Sequence, residues 1–352
     1  MNKFSIGVDL GGTNLRIAAV DEQGKLVEKI TLGTKVSLGR DHVIGDMCDA
    51  IQRTSEKFRD TPLLGIGIGV PGIIDMQTGL LRESPNLPGW ADYPVRAEIE
   101  RRLKTIVILE NDANVAALGE KWLGAAKDFS DMAMLTLGTG VGGGLVLGGE
   151  IWRGANGMAG EFGHTTVEPE GQLCGCGNRG CLEQYASATA VVRMAREAIA
   201  ASGGSALARA ANSDSEFSSK SIYNLAIQGD EDARRIFRNV GRYLGIVLSA
   251  MINSLNLPIY VIGGGASSAW DAFSPSIFEE LRRRSFVYVA TAPRDPAGQS
   301  PATTRARVTN EGASAHIDAG TGRKTIITRA LLGSDAGLYG AARLPMLEQA
   351  KR

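Results

Sequence analysis

The chain has 352 residues, which is enough for two domains of ordinary size and a buried core. Hydrophobic residues make up 43% and charged residues 22%, a composition typical of a soluble globular protein. Lys plus Arg and Asp plus Glu both number 38, and this balance argues against a protein that binds nucleic acid through bulk charge.

The amino terminus carries no pattern typical of a secretory signal, because its apolar run is short and ends at Asp9. No apolar stretch approaches the ~20 residues that span a bilayer. Four cysteines in a chain of this length do not make a disulfide scaffold. We therefore expect a cytoplasmic protein with no membrane partner.

Two rounds of strands and helices are predicted in chain order. The first round has strands at 4–9, 15–20, 63–70 and 105–109, and helices at 42–58, 94–103 and 112–123. The second has strands at 132–137, 145–147 and 259–262, and helices at 183–201, 229–256 and 272–284. Each round opens with a strand, a Leu-Gly turn and a returning strand. This repetition predicts two α/β domains with a cleft between them.

The segment 290–324 differs from both rounds. Ala, Thr, Arg, Gly and Pro dominate it, and no helical or strand period is visible. We predict a long loop or a poorly ordered insertion there.

The first motif with chemical meaning runs from Asp9 to Asn14. Gly11 and Gly12 allow a tight turn that presents backbone N–H groups to phosphate oxygens, and Thr13 and Asn14 add side-chain donors. Asp9 could hold the Mg²⁺ that accompanies ATP, through water. A plain β-hairpin turn is the alternative.

A second glycine run covers residues 137–144, and residues 138–144 are predicted to form a glycine turn. Its glycines match G-x-G-x-x-G, and so do those of residues 67–72, which shows how weak this pattern is. A dinucleotide fold needs a helix after the glycines, whereas residues 145–147 are predicted as a strand, so we reject that interpretation. The sequence also lacks G-x-x-x-x-G-K-[ST], which excludes an ordinary P-loop.

Asn111 and Asp112 follow a predicted buried strand and open a helix. One interpretation makes Asp112 an N-cap or first-turn acid. The other makes it a general base that takes a proton from a hydroxyl attacking the γ-phosphate of ATP, with Asn111 holding the acceptor.

The most specific pattern is H-x9-C-x-C-x4-C, formed by His164, Cys174, Cys176 and Cys181. Three thiolates and one imidazole make a closed tetrahedral zinc site, which is structural and not catalytic. Four reduced core residues are the alternative. Glu161 and Glu183 bracket this zinc knuckle, where fixed carboxylates could accept hydrogen bonds from a ligand.

One more glycine-rich turn follows the last predicted strand and precedes a helix. It contains Gly263, Gly264, Gly265 and Ala266. It is either an ordinary strand-to-helix turn or a platform for the adenosine half of ATP, since it has no side chains to block the base.

Together these motifs resemble the ROK family of repressors, open-reading-frame kinases and sugar kinases, most closely its bacterial ATP-dependent glucokinases. Gly160-Glu161-Phe162-Gly163-His164, joined to the cysteine-rich run at 174–183, is similar to the family's sugar-and-zinc signature. The resemblance covers about residues 4–288 and resumes at 331–342, and the insertion between is longer than in a typical member.

The resemblance implies the two-domain actin-like ATPase fold, related to ribonuclease H, with an interdomain cleft. Residues 1–113 and a C-terminal helix at 335–352 would form the small domain. Residues 114–334 would form the large domain, with the zinc knuckle at 164–181 and a loop-like insertion at about 290–324.

The resemblance also implies functional roles. Asp112 would be the catalytic base, and His164 would bind zinc through one ring nitrogen and the sugar through the other. The implied sugar-binding residues are Asn86, Asn111, Asp112, Glu161, His164 and Glu183. The implied Mg-ATP-binding residues are Asp9, Gly11, Gly12, Thr13, Asn14, Gly138, Thr139, Gly140, Gly263, Gly264, Gly265 and Ala266.

The expected reaction is phosphorylation of a hexose at its 6-hydroxyl, with glucose as the leading substrate and a homodimer or homotetramer as the assembly. N-acetylglucosamine, N-acetylmannosamine and fructose are alternative substrates. A sugar-responsive repressor is a remote alternative, since the first phosphate motif begins at Asp9 and leaves no room for a preceding DNA-binding domain. Asp112 and both phosphate motifs argue against a catalytically dead sugar-binding protein.

Overall fold

A computed structural model describes residues 3–84, 86–202, 206–213, 217–291 and 324–351. The strands are β1 Phe4–Leu10, β2 Asn14–Asp21, β3 Leu26–Gly33, β4 Leu63–Val70, β5 Ile73–Asp75, β6 Leu80–Glu83, β7 Val107–Asn111, β8 Met132–Leu137, β9 Val141–Leu147, β10 Glu150–Ile151, β11 Ile259–Gly263 and β12 Ile326–Arg329. The helices are α1 Arg40–Lys57, α2 Val95–Leu103, α3 Asp112–Trp122, α4 Glu183–Ala186, α5 Ala188–Ser202, α6 Ala206–Ser213, α7 Ser219–Gln228, α8 Glu231–Leu255, α9 Trp270–Arg284, α10 Phe286–Thr291 and α11 Ala336–Ala350.

Two five-stranded sheets share one topology. The first has the order β3-β2-β1-β4-β7, and the second has the order β10-β9-β8-β11-β12. In both, an antiparallel hairpin (β1–β2 or β8–β9) is followed by two parallel strands. The two Leu-Gly turns noted in the sequence therefore occupy equivalent places in two copies of one arrangement.

The central strands are apolar because they are covered on both faces. Every residue of β11 is buried, and so is every residue of β1 except Asp9. Helix α1 packs into the core of the first sheet through Ile44, Met47 and Ile51. Helices α5, α7, α8 and α9 contribute to the core of the second sheet.

The predicted C-terminal helix is confirmed as α11, which lies against β1, β4 and α3. Its approach to the first sheet requires glycine at two positions. A methyl group at Gly7 would overlap the backbone of Leu338, and one at Gly67 would overlap the backbone of Ala341. These glycines let helix backbone lie directly on strand backbone.

The predicted glycine turn at 138–144 is wrong in its second half, because β9 begins at Val141. Gly143 and Gly144 belong to this strand. Because they have no side chains, the backbones of Gly160 and Ala113 can approach the strand closely. A methyl group at Gly144 would lie 2.9 Å from the carbonyl oxygen of Ala113 in α3.

The predicted helix at 183–201 is two helices. Ser187 has extended backbone between α4 and α5, and its hydroxyl accepts a hydrogen bond from Ala190 N at 3.1 Å. A helix start in mid-segment is what a serine at the N-cap position favours. The predicted strand at 105–109 is also shifted, since β7 runs from Val107 to Asn111.

Several elements were not predicted, including β3, β5, β6, α6, α7, α10 and β12. Within the predicted insertion, Ala290 and Thr291 are helical, which corrects its start, and residues 292–323 lie outside the described residues. None of the described helices is long and apolar enough to cross a membrane.

Candidate active site

The first glycine turn joins β1 to β2 and is fixed by the end of β3. Gly11 N donates to Asn14 O at 2.9 Å. Buried Thr34 donates its hydroxyl to Gly11 O at 2.6 Å and its backbone N–H to Thr13 O at 2.9 Å. Thr13 and Asn14 are exposed, so their side chains are available to a ligand.

Asp9 lies at the end of β1 beside this turn. Its Oδ2 accepts a hydrogen bond from Arg16 Nη1 at 3.0 Å. Burial raises the pKa of Asp9, although the Arg16 guanidinium opposes that shift. A methyl group at Gly337, in the first turn of α11, would lie 3.2 Å from Asp9 Cγ, so glycine at this position keeps a side chain away from the carboxylate.

The structure brings Asn86 to the first glycine turn. A methyl group at Gly12 would lie 3.2 Å from Asn86 O and 3.4 Å from Asn86 Cβ. Asn86 is exposed, so its side chain is accessible to a ligand. The two segments are 74 residues apart in sequence, so their proximity is a property of the fold.

The second glycine turn joins β8 to β9. Within it, Gly138 N donates to Gly140 O at 2.9 Å. The start of α5 holds it from outside, since Ala188 N donates to Gly138 O at 2.8 Å and Thr189 Oγ1 donates to Thr139 O at 2.8 Å. Thr139 itself is exposed.

The third glycine-rich turn lies next to the second. Gly263 pairs with Thr136 across the parallel strands β11 and β8. Gly264 has a φ of 82°, and a methyl group there would overlap the backbone of Leu137, so glycine is required. Gly265 is exposed and Ala266 is half-buried. Both predicted nucleotide motifs of the second sheet thus meet at one edge.

Asn111 is the N-cap of α3, so the N-cap role considered for Asp112 is wrong, whereas its alternative role as a first-turn acid is confirmed. Asn111 Oδ1 accepts from Ala113 N at 2.9 Å and from Asn114 N at 3.3 Å. Its Nδ2 donates to Gly72 O at 3.3 Å. Asp112 is the first residue of the helix, and its Oδ1 accepts from Ala113 N at 2.8 Å.

The electrostatic surroundings of Asp112 favour its protonated form. Burial raises the pKa of Asp112 to about 6, and the negative charges of Asp9 and Glu161 add to that shift. The hydrogen bond from Ala113 N opposes it. A carboxyl group with a pKa near neutrality is suited to proton transfer.

Glu110 is a functional candidate that the sequence analysis missed. Its side chain is 1% exposed and accepts hydrogen bonds from Arg153 Nε at 2.7 Å, Asn114 Nδ2 at 3.0 Å and Asn111 N at 3.0 Å. A buried carboxylate needs such partners. Through these hydrogen bonds, Glu110 fixes the segment that carries Asp112. The signal for Glu110 in the sequence was an acidic residue at the end of an apolar strand.

The four predicted metal ligands lie together. His164 Nδ1 is 3.6 Å from Cys174 Sγ, and the Sγ atoms of Cys176 and Cys181 are 3.7 Å apart. All four ligand atoms lie within 4.8 Å of one another. Ligand atoms around one tetrahedral zinc ion are about 3.5–3.8 Å apart, so the donor set and its spacing fit zinc.

The other ring nitrogen of His164 points away from the cysteines. His164 Nε2 lies 3.9 Å from Glu161 Oε2, and the Glu161 side chain is 51% exposed. Glu183 is half-buried at the start of α4, and its Oε2 accepts a hydrogen bond from Val141 N at 3.0 Å. Both carboxylates thus lie beside the knuckle, Glu161 next to His164 and Glu183 with its Oε1 4.0 Å from Cys174 Sγ.

Residues from both halves of the chain meet in a small cavity, which Asn111 lines but Asp112 does not. Asn111 and Gly72 line it from the first sheet, and Gly143 and Glu161 line it from the second half of the chain. The predicted acceptor-binding residues Asn111 and Glu161 are thus adjacent, although 50 residues separate them in sequence.

The duplicated sheets and their glycine turns define the class: this is a mixed α/β protein of the actin-like ATPase fold. The chain belongs to the ROK family, whose family model matches residues 5–302.

Two glucokinases are among its most similar relatives. The glucokinase of Thermotoga maritima is 40% identical over 284 residues, covering 81% of this chain and 87% of the relative. The glucokinase of Halalkalibacterium halodurans is 38% identical over 292 residues, covering 82% and 88%. A solved ROK family glucokinase from Streptomyces griseus, in complex with glucose and AMPPNP, is 32% identical, with a TM-score of 0.75 and coverage of 97% and 98%.

Proposed function

We propose that this chain transfers the γ-phosphoryl group of ATP to the 6-hydroxyl of glucose. The observation that carries this proposal is the position of Asp112 at the start of α3, where burial raises the pKa of its carboxyl group to about 6. It is close enough to Asp9 and Glu161 for both charges to act on it. The relatives named above support glucose as the acceptor.

Asp112 would accept the proton of the 6-hydroxyl as that oxygen attacks the γ-phosphorus. Asn86, Asn111, Glu161, His164 and Glu183 would hold the sugar by hydrogen bonds. The Nε2 of His164, which lies 3.9 Å from Glu161 Oε2, supports this assignment, because a metal on Nδ1 would fix the tautomer and leave Nε2 to face the sugar.

The glycine turns at 11–14 and 138–140 would present backbone N–H groups to the phosphates, and residues 263–266 would support the adenosine. Asp9 would hold Mg²⁺ through water, since its Oδ2 is already bonded to Arg16. When bound, Mg²⁺ would neutralise part of the charge of the phosphates.

A two-domain arrangement with a cleft fits the packing. Residues 1–113 and 335–352 would form the small domain, as the contacts of α11 with β1 and β4 support. Residues 114–334 would form the large domain. Closure of the cleft would exclude water and limit ATP hydrolysis.

We also propose a structural zinc ion on His164, Cys174, Cys176 and Cys181, and a homodimeric or homotetrameric assembly. The distances within the cysteine cluster support the zinc proposal. The oligomer rests on the resemblance alone. No nucleic-acid or membrane partner is proposed.

The test is an ADP-release assay with Mg-ATP and a panel of glucose, mannose, fructose, N-acetylglucosamine and N-acetylmannosamine. We expect the highest kcat/KM for glucose and no turnover of 6-deoxyglucose, which lacks the acceptor. Asp112→Asn should bind glucose but lose at least ~10²-fold in kcat. Preference for another hexose would correct the substrate, and no turnover by a folded, zinc-loaded sample would favour a non-enzymatic sugar regulator.

A further inference from the structure

The segment that leaves the zinc knuckle also supports the second glycine turn. Cys181 is separated from Glu183 by one residue, and Glu183 begins α4. Helix α5 follows after the single extended residue Ser187. Residues 181–189 therefore run continuously from a metal ligand to the helix that contacts the turn.

The Glu183 carboxylate lies between the turn and the cysteine cluster. Its Oε2 accepts a hydrogen bond at 3.0 Å from Val141 N, the first backbone donor after the turn. A methyl group at Gly140 would overlap this same oxygen. Its Oε1 is 4.0 Å from Cys174 Sγ. One carboxylate thus touches both structures.

Two further contacts reach the turn from the same segment. Ala188 N donates to Gly138 O, and Thr189 Oγ1 donates to Thr139 O, both at 2.8 Å. Inside the turn, one hydrogen bond joins Gly138 to Gly140. Glycine has no side chain to restrict its backbone dihedral angles, so the orientation of the phosphate-facing N–H groups depends on these external contacts.

We propose that Glu183 is a positioning residue for the second glycine turn and couples nucleotide affinity to the metal-binding knuckle. This inference rests on the proposed function and gives Glu183 a role besides contact with the sugar. A residue that only binds sugar would alter the KM for sugar. A residue that holds the turn alters nucleotide binding even when no sugar is present.

The test measures the Kd of Mg-AMPPNP by isothermal titration calorimetry, without sugar, on zinc-loaded full-length protein. Glu183→Ala removes the acceptor for Val141 N, and we expect its Kd to rise at least ~10-fold, the size of effect expected for one oriented hydrogen bond. Glu183→Gln keeps an acceptor oxygen, so its Kd should stay within about threefold of the wild type.

Glu168→Ala is the matched control, because the Glu168 carboxylate lies in the knuckle region but its partners are Tyr243, at 3.1 Å, and Arg242, at 3.9 Å. Its nucleotide Kd should be unchanged. Circular dichroism checks that each variant is folded. If the wild-type protein binds no nucleotide, the proposed function fails. If the wild type binds and Glu183→Ala binds equally well, the inference about Glu183 is overturned while the proposed function survives.

A double-mutant cycle with Cys176→Ser tests the link to the knuckle. Coupled residues show non-additive effects. We expect Glu183→Ala to weaken nucleotide binding much less in the Cys176→Ser background than in the wild type. Full additivity in a folded double variant would separate Glu183 from the knuckle. If Cys176→Ser does not fold, the comparison of alanine with glutamine at Glu183 still decides the positioning role.

Discussion

At the scale of single residues, the proposed phosphoryl transfer depends on the protonation state of Asp112. Burial and the charges of Asp9 and Glu161 raise its pKa to about 6. A general base must be ionised in the free enzyme. We expect kcat/KM for glucose to be level above pH ~7 and to fall as the pH drops through 6. A pH profile measured with saturating Mg-ATP checks this, and a level profile down to pH 4.5 would contradict it.

The same pKa shift predicts that the ionised form of Asp112 lowers the free energy of unfolding. Its pKa is higher in the folded chain than in the unfolded chain, so its contribution is most favourable below pH ~4 and is lost as the pH rises through 6. Asp112→Asn should therefore raise Tm at pH 8, and the gain should shrink at pH 5. Calorimetry at both pH values measures it, and a lower Tm for the variant at pH 8 would count against the burial argument.

At the scale of elements, the cysteine cluster is the first to test. Cys176→Ser should lose zinc by elemental analysis and lower Tm by at least about 5 °C, because a closed zinc site contributes directly to folding. Cys48→Ala is the control, since Cys48 is a buried residue of α1 outside the cluster and its loss should leave zinc content intact. Normal stability of zinc-free Cys176→Ser would exclude the structural role.

The crossing of α3 and α11 allows a second test. A methyl group at Gly340 would overlap the carbonyl oxygen of Val115 in α3. Gly340→Ala should lower the free energy of unfolding by ~1–3 kcal/mol, the usual cost of overpacking, and should also lower kcat because α3 carries Asp112. Gly33→Ala is the control, because Gly33 is exposed at the end of β3 with nothing within 4 Å. Equal denaturation midpoints for the two variants would contradict the packing argument.

At the scale of the whole molecule, the proposed cleft predicts a change in shape. Glucose together with Mg-AMPPNP should lower the radius of gyration measured by small-angle scattering, because both ligands would draw the two domains together. Mg-AMPPNP with sorbitol serves as the control. An unchanged radius of gyration at saturation would contradict domain closure.

The sequence predicted the features whose signals are local. The turns at Gly11 and Gly138, the start of α3 at Asp112 and the spacing of the cysteine cluster are each contained in a short segment, so their residues show the pattern directly. The repeat of hairpin and parallel strands could be predicted for the same reason.

The features that the sequence did not reveal depend on distant residues. Glu110 and Arg153 are 43 residues apart, and Val141 and Glu183 are 42 apart, so no periodicity links them. The strand residues Gly143 and Gly144 were interpreted as a turn because glycine signals either a bend or close packing. Only the tertiary structure decides between the two, since Gly143 packs against Gly160 and Gly144 packs against α3.

The identity of the product tests the proposed reaction most directly. Zinc-loaded protein is incubated with Mg-ATP and glucose, and ADP and glucose 6-phosphate are measured separately in the same sample. We expect equal amounts of the two products from the wild type and at least ~10²-fold slower formation of both by Asp112→Asn. ADP without glucose 6-phosphate, or equal rates for the two proteins, would contradict it.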